Sequence, residues 1–235
     1  MFLVFLLIKA PFFHKTFLIK KNMLPLENYI DHTLLKPSAT PENIIQLCEE
    51  AKKYNFFAVC INGSFVQLAK RELINSNVKI VAVVGFPLGT TAISIKVLET
   101  KTCINDGADE IDMVINVGML KSKDFKYLEN EIQAVKNELG DRVLKVIIET
   151  CYLTDEEKKV ICEIAMNAGA NFVKTSTGFG TNGATIADVK LIKEVLKGQL
   201  SIKASGGISD KETALSYISL GVTRIGTSSG IKIVT

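Results

Sequence analysis

The chain has 235 residues, 47% of them hydrophobic and 23% charged, which excludes intrinsic disorder and fits one large domain. Its 28 basic and 25 acidic side chains leave a net charge of +3, too balanced for a nucleic-acid binder. The five cysteines (Cys48, Cys60, Cys103, Cys151, Cys162) are scattered and form no CxxC pair, and the only histidines are His14 and His32. This excludes a disulfide framework, a zinc knuckle and a histidine-rich metal site, and reduced thiols point to a cytoplasmic protein.

Residues 1–22 differ in composition from the rest. The apolar run MFLVFLLI is followed by Lys9, His14, Lys15, Lys20 and Lys21. The run is far shorter than the roughly 20 residues that span a bilayer. Its charge follows the apolar stretch instead of preceding it, and no A-x-A site appears, so a secretory signal is a poor fit. The preferred reading is a leader over 1–22 outside the fold, with Met23 as the functional start and one domain over 23–235. A targeting leader or a weak membrane-surface anchor is the other reading of that segment.

From residue 28 onward, β-rich runs alternate with segments of helical periodicity. Strands are predicted over 29–33, 56–61, 78–84, 110–115, 143–149, 171–174, 200–204 and 223–226. Helices are predicted over 41–54, 64–75, 92–106, 124–139, 155–168, 185–196 and 210–220. Thr40-Pro41-Glu42 and Thr154 before three acidic residues are helix starts, and Gly107, Gly140, Gly169, Gly198 and Gly221 follow helix ends. Eight strands with seven intervening helices predict a parallel sheet, and at this length a closed (β/α)8 TIM barrel. No G-x-G-x-x-G follows the early strands, which weakens a dinucleotide-binding alternative.

In such a barrel the site lies at the C-terminal ends of the strands. Lys174 ends one apolar strand and precedes a small polar loop, a setting for an amine nucleophile beside an anion pocket. Lys203 occupies the matching place on the next strand. Adjacent strands are about 4.8 Å apart, so the two ammoniums should feel each other, and like charge frees an amine to attack a carbonyl. Strand alternation puts Glu110, Asp112 and Val114 on one face. An acid inside a barrel needs a cation or hydrogen bonds, so Asp112 is expected to hold an ammonium, move protons, or both. Lys145 and Glu149 share a strand face and are assigned at most a supporting part in this network. Asp31, Thr33 and Cys60 are candidate pocket-wall residues, with a buried inert thiol the plainer role for Cys60.

Three loops after the last three strands carry glycine and serine: Gly178, then Gly206 and Gly207, then Gly226, Ser228 and Ser229. Such loops offer backbone N–H groups and hydroxyls to an anion, and barrel enzymes frequently bind phosphate there. Together they point to a phosphorylated small-molecule substrate.

Seven ordered segments then stand out as a set: IDHTLLKP (30–37), VVGFPLG (83–89), GADEIDMVIN (107–116), KVIIET (145–150), FVKTSTGF (172–179), IKASGGI (202–208) and RIGTSSG (224–230). The set closely resembles the deoxyribose-phosphate aldolase family. The resemblance implies a metal-independent, cofactor-free class I aldolase that reversibly cleaves 2-deoxy-D-ribose 5-phosphate into D-glyceraldehyde 3-phosphate and acetaldehyde. It carries the Schiff-base lysine onto Lys174, the proton-transfer pair onto Asp112 and Lys203, and the phosphate loops onto the glycines and serines named above. A homo-oligomer is possible on this reading, and no nucleic acid or membrane partner is expected.

Overall fold

The computed structural model describes residues 24–235, so the leader and its boundary at Met23 lie outside the described residues. Eight parallel strands close on themselves in chain order: β1 (Ile30–Leu34), β2 (Ala58–Asn62), β3 (Lys79–Val84), β4 (Glu110–Val114), β5 (Val143–Ile147), β6 (Phe172–Lys174), β7 (Ser201–Ser205) and β8 (Arg224–Thr227). The closure is a direct β1–β8 pairing, with Asp31 opposite Gly226. Helices α1 (Pro41–Lys53), α2 (Val66–Glu72), α3 (Ile93–Asp106), α4 (Val117–Lys121), α5 (Phe125–Leu139), α6 (Asp155–Asn167), α7 (Ile186–Leu196) and α8 (Lys211–Ser219) fill the connections, and α9 (Gly230–Val234) follows β8. The predicted TIM barrel is therefore the observed architecture.

The predicted caps act as read. Thr40 and Thr154 each close a capping box, with Asn43 and Glu157 as the reciprocal partners. Gly107 ends α3 at φ 112°, a backbone that only glycine enters freely. The differences have local causes. The second predicted helix shortens because its first turn, Gly63–Phe65, is a 3-10 helix. Helices α4 and α9 were not predicted: five residues are too short to show a period, and α4 is announced only by the Asn116 side chain accepting from the Met119 N–H.

Burial follows the pleat. Ile111 and Met113 of β4, Val146 of β5 and Val173 of β6 face the helices and form the main core with residues such as Leu128, Ile132, Ile161 and Val189. The inner face is divided. On β2 and β3 it is small and apolar, with Ala58, Cys60, Val81 and Val83 packed under Leu35. The remaining six strands direct charged side chains inward, and almost all are fully buried. Among the described residues, no helix is long and apolar enough to cross a membrane.

Candidate active site

Each inward charge is placed by strand register. Asp112 on β4 lies opposite Lys145 on β5, and Lys174 on β6 lies opposite Lys203 on β7. The two lysines are thus at equal height, as expected from sequence. Asp112, expected to hold an ammonium, holds both; that it bridges the two was not evident from the sequence. Asp112 Oδ2 accepts from Lys174 Nζ at 2.9 Å and from Lys203 Nζ at 2.7 Å, and its Oδ1 accepts from Lys145 Nζ at 2.8 Å.

Lys145 also reaches Glu110 at 2.6 Å, Glu110 reaches Arg224 at 3.1 Å, and Arg224 reaches Asp31 at 2.9 Å. Asp31 completes the circuit by pairing with Lys203. Asp112, Lys145, Glu110, Arg224, Asp31 and Lys203 therefore form a closed ring of alternating charge inside the barrel, and Lys174 is attached to it at Asp112. Lys145 is a full member, a larger part than the supporting one expected. Arg224 was missed, although a lone arginine in an apolar strand was a visible signal; its guanidinium stacks on the Phe57 ring at 3.4 Å.

The ring sets the protonation of its members. Burial would raise the Asp112 carboxyl, yet Lys145, Lys174 and Lys203 together hold it well below its ordinary value. Burial likewise opposes ionisation of Asp31, but Lys203 and Arg224 bring it down from 3.8 to about 2. Lys203 is raised: burial alone would lower it, and the attraction of Asp112 and Asp31 prevails. The ring accordingly keeps Asp112 and Asp31 ionised and Lys203 protonated at neutral pH.

Above the ring opens a cavity of about 390 Å³ with Lys174 on its wall. Gly178, Gly206, Gly207, Gly226, Ser228 and Ser229, read from three separate loops, all line it. Thr33 lines it too, whereas Asp31 lies in the ring below. Cys60 is buried beside the ring with Sγ 4.0 Å from Asp112 Oδ2, and burial raises its thiol pKa, as suits an inert group. Lys36, not singled out from sequence, lines the mouth. His32 points away from the cavity and pairs with Glu50 of α1 at 2.7 Å.

Glu149 departs from its expected place. The predicted strand runs to residue 149, but β5 stops at Ile147 and Glu149 takes a left-handed backbone at φ 54°. Its carboxylate turns from the ring to the loop after β6, where it accepts the Thr177 N–H at 3.2 Å and the Thr177 hydroxyl.

The model of the DeoC/LacD family aldolases matches residues 27–233. A deoxyribose-phosphate aldolase of Finegoldia magna is 56% identical over 211 residues, covering 90% of this chain and 99% of that one. One from Thermococcus kodakarensis is 55% identical, covering 91% and 97%. Among solved structures, a tetrameric deoxyribose phosphate aldolase from Aeropyrum pernix superposes with a TM-score of 0.79 at 32% identity, covering 89% of each chain.

Proposed function

The chain belongs to the DeoC/LacD family of aldolases, and from that premise we propose that it reversibly cleaves 2-deoxy-D-ribose 5-phosphate into D-glyceraldehyde 3-phosphate and acetaldehyde through a Schiff base on Lys174. The observation that carries the reading is one cavity with an amine on its wall, glycine and serine loops around it, and an ionised carboxylate 2.9 Å from that amine.

In this mechanism the neutral Lys174 Nζ adds to the C1 aldehyde of the open-chain sugar, and loss of water gives a protonated imine. That cation accepts the electron pair of the C2–C3 bond. Asp112, through an ordered water and beside the Lys203 ammonium, takes the proton of the C3 hydroxyl as C3 becomes the aldehyde of glyceraldehyde 3-phosphate. The enamine left on Lys174 is protonated at C2. Water then adds at C1, and acetaldehyde leaves with the amine restored. Gly178, Gly206, Gly207, Gly226, Ser228 and Ser229 hold the phosphate end with backbone N–H groups and hydroxyls.

Borohydride added with substrate should fix a carbon adduct on Lys174, located by peptide mapping. An adduct on another lysine would overturn the assignment. Cytoplasmic residence is supported by five free cysteines among the described residues. A homo-oligomer is supported by the tetramer of the Aeropyrum pernix relative, and sedimentation equilibrium tests it.

A further inference from the structure

Glu149 is almost completely buried, and among the described residues no lysine or arginine pairs with it. It is also one of few non-glycine residues with a left-handed backbone, at φ 54° and ψ 68°. A buried carboxylate without a cation, on strained backbone, persists only where the surroundings require it. Glu149 lines a small cavity of about 90 Å³ behind the loop, and Thr177 and Phe179 form the wall between it and the cavity in which the proposed substrate places its phosphate.

Its hydrogen bonds explain the placement. Beyond the end of β5, the chain stays paired with the segment after Lys174: the Ile148 N–H donates to Lys174 O at 3.0 Å and the Thr150 N–H to Thr175 O at 2.9 Å. Glu149 sits between these two pairs, and its left-handed backbone aims the carboxylate across the gap. Both oxygens accept the Thr177 N–H, at 3.2 and 3.3 Å, and Oε2 also accepts the Thr177 hydroxyl. Thr177 Oγ1 in turn accepts the Phe179 N–H at 3.0 Å, which fixes the turn across Gly178. The loop closes over the carboxylate: a Cβ at Gly180 would stand 3.2 Å from Glu149 Cδ. From the other side, Ser205 of β7 donates to Ser176 O at 2.6 Å.

We infer that Glu149 is a positioning residue that sets the Thr177–Gly178 turn for the phosphate end of the substrate, an inference that rests on the aldolase reading. Its charge is absorbed by the loop's own donors, so the pocket receives a fixed turn and not a bare anion. Thr177 lines the cavity three residues after Lys174, so the same clamp fixes the distance between amine and phosphate turn.

The test compares kcat and KM for 2-deoxyribose 5-phosphate and for unphosphorylated 2-deoxyribose in the wild type, Glu149→Gly and Glu149→Gln. Glycine adopts this backbone without strain, so Glu149→Gly removes the clamp and relieves the strand end. The ratio of the two kcat/KM values, phosphorylated over unphosphorylated, should fall about tenfold, chiefly through KM for the phosphorylated sugar. Glu149→Gln keeps one acceptor for the Thr177 N–H and should fall between, and it carries the comparison if Glu149→Gly does not fold. An unchanged ratio, or an equal loss on both sugars, would overturn the inference. If the wild type turns over neither sugar, the aldolase reading fails first. Titration with inorganic phosphate then decides the clamp alone: weaker binding by Glu149→Gly upholds it, and equal binding overturns it.

Discussion

Replacing Asp31 by Asn should destabilise the barrel in a manner that depends on pH. In the folded chain the Asp31 carboxyl lies near 2, against an ordinary 3.8, because Lys203 and Arg224 outweigh the cost of its burial. A carboxyl depressed on folding contributes stability that is fully present above the unfolded pKa and is lost as pH falls through the folded one. A depression of nearly two units corresponds to about 2–3 kcal/mol at neutral pH, of which about half remains at pH 3. The substitution also takes one partner from Lys203 and one from Arg224. Each keeps another, Asp112 at 2.7 Å and Glu110 at 3.1 Å, which places the loss toward the low end of the 3–5 kcal/mol typical of a broken buried pair, at about 3 kcal/mol. Urea unfolding followed by circular dichroism, from pH 7 down to about 3, measures it. The gap between wild type and Asp31→Asn should be widest at pH 7 and narrow by about 1 kcal/mol, roughly a third of it, at the acid end. A gap of constant size across that range would refute the argument that the ring holds Asp31 ionised.

Further outcomes are expected. Lys96, wholly buried, bridges Gly89 O, Val114 O and Glu131, each at 2.7 Å. Lys96→Met should therefore cost about 3–5 kcal/mol in urea unfolding, because it leaves Glu131 buried and unpaired. Chelators should leave aldol cleavage intact, since the barrel carboxylates already spend their oxygens on lysine and arginine; loss in EDTA with recovery on zinc would contradict this. A chain beginning at Met23 should match the full chain in urea midpoint and turnover, since it keeps all of residues 27–233 that match the family.

The elements were legible wherever they were long and patterned. Helix α5 carries its period through Leu128, Ile132, Val135 and Leu139, and α6 begins at a capping box readable as Thr154 followed by acids. Short pieces were not legible, because α4 and α9 are held by tertiary packing and not by any repeat of their own. In the site, position at a strand end singled out Lys174 and Lys203, and alternation along its strand singled out Asp112, since each is a charge where an apolar residue would pack. The ring that joins them was beyond such reasoning. Its contact between Arg224 and Asp31 bridges 193 positions and exists only because β8 pairs with β1. Glu149 was misdirected for a related reason: alternation fixes the direction of a side chain only while the strand continues, and the strand ends two residues earlier.

That ring also explains why a barrel interior tolerates so many charges. Three carboxylates, Asp31, Glu110 and Asp112, alternate with three cations, Lys145, Lys203 and Arg224, and no member stands without an oppositely charged neighbour. Buried charges are otherwise prohibitive, and removing any one would leave each of its two neighbours with a single opposite partner. Lys174 alone stands outside this balance. It contacts a single ring oxygen, Asp112 Oδ2, which Lys203 already holds, so the six remaining charges sum to zero with or without it. Lys174 thus lies outside the closed ring, and it is the interior lysine that lines the cavity. An imine formed there carries a positive charge as the ammonium did, beside the same carboxylate. On the proposed mechanism, the network that keeps six charges folded leaves the seventh group, held by a single contact, to change its bonding, which is what covalent catalysis through an amine demands.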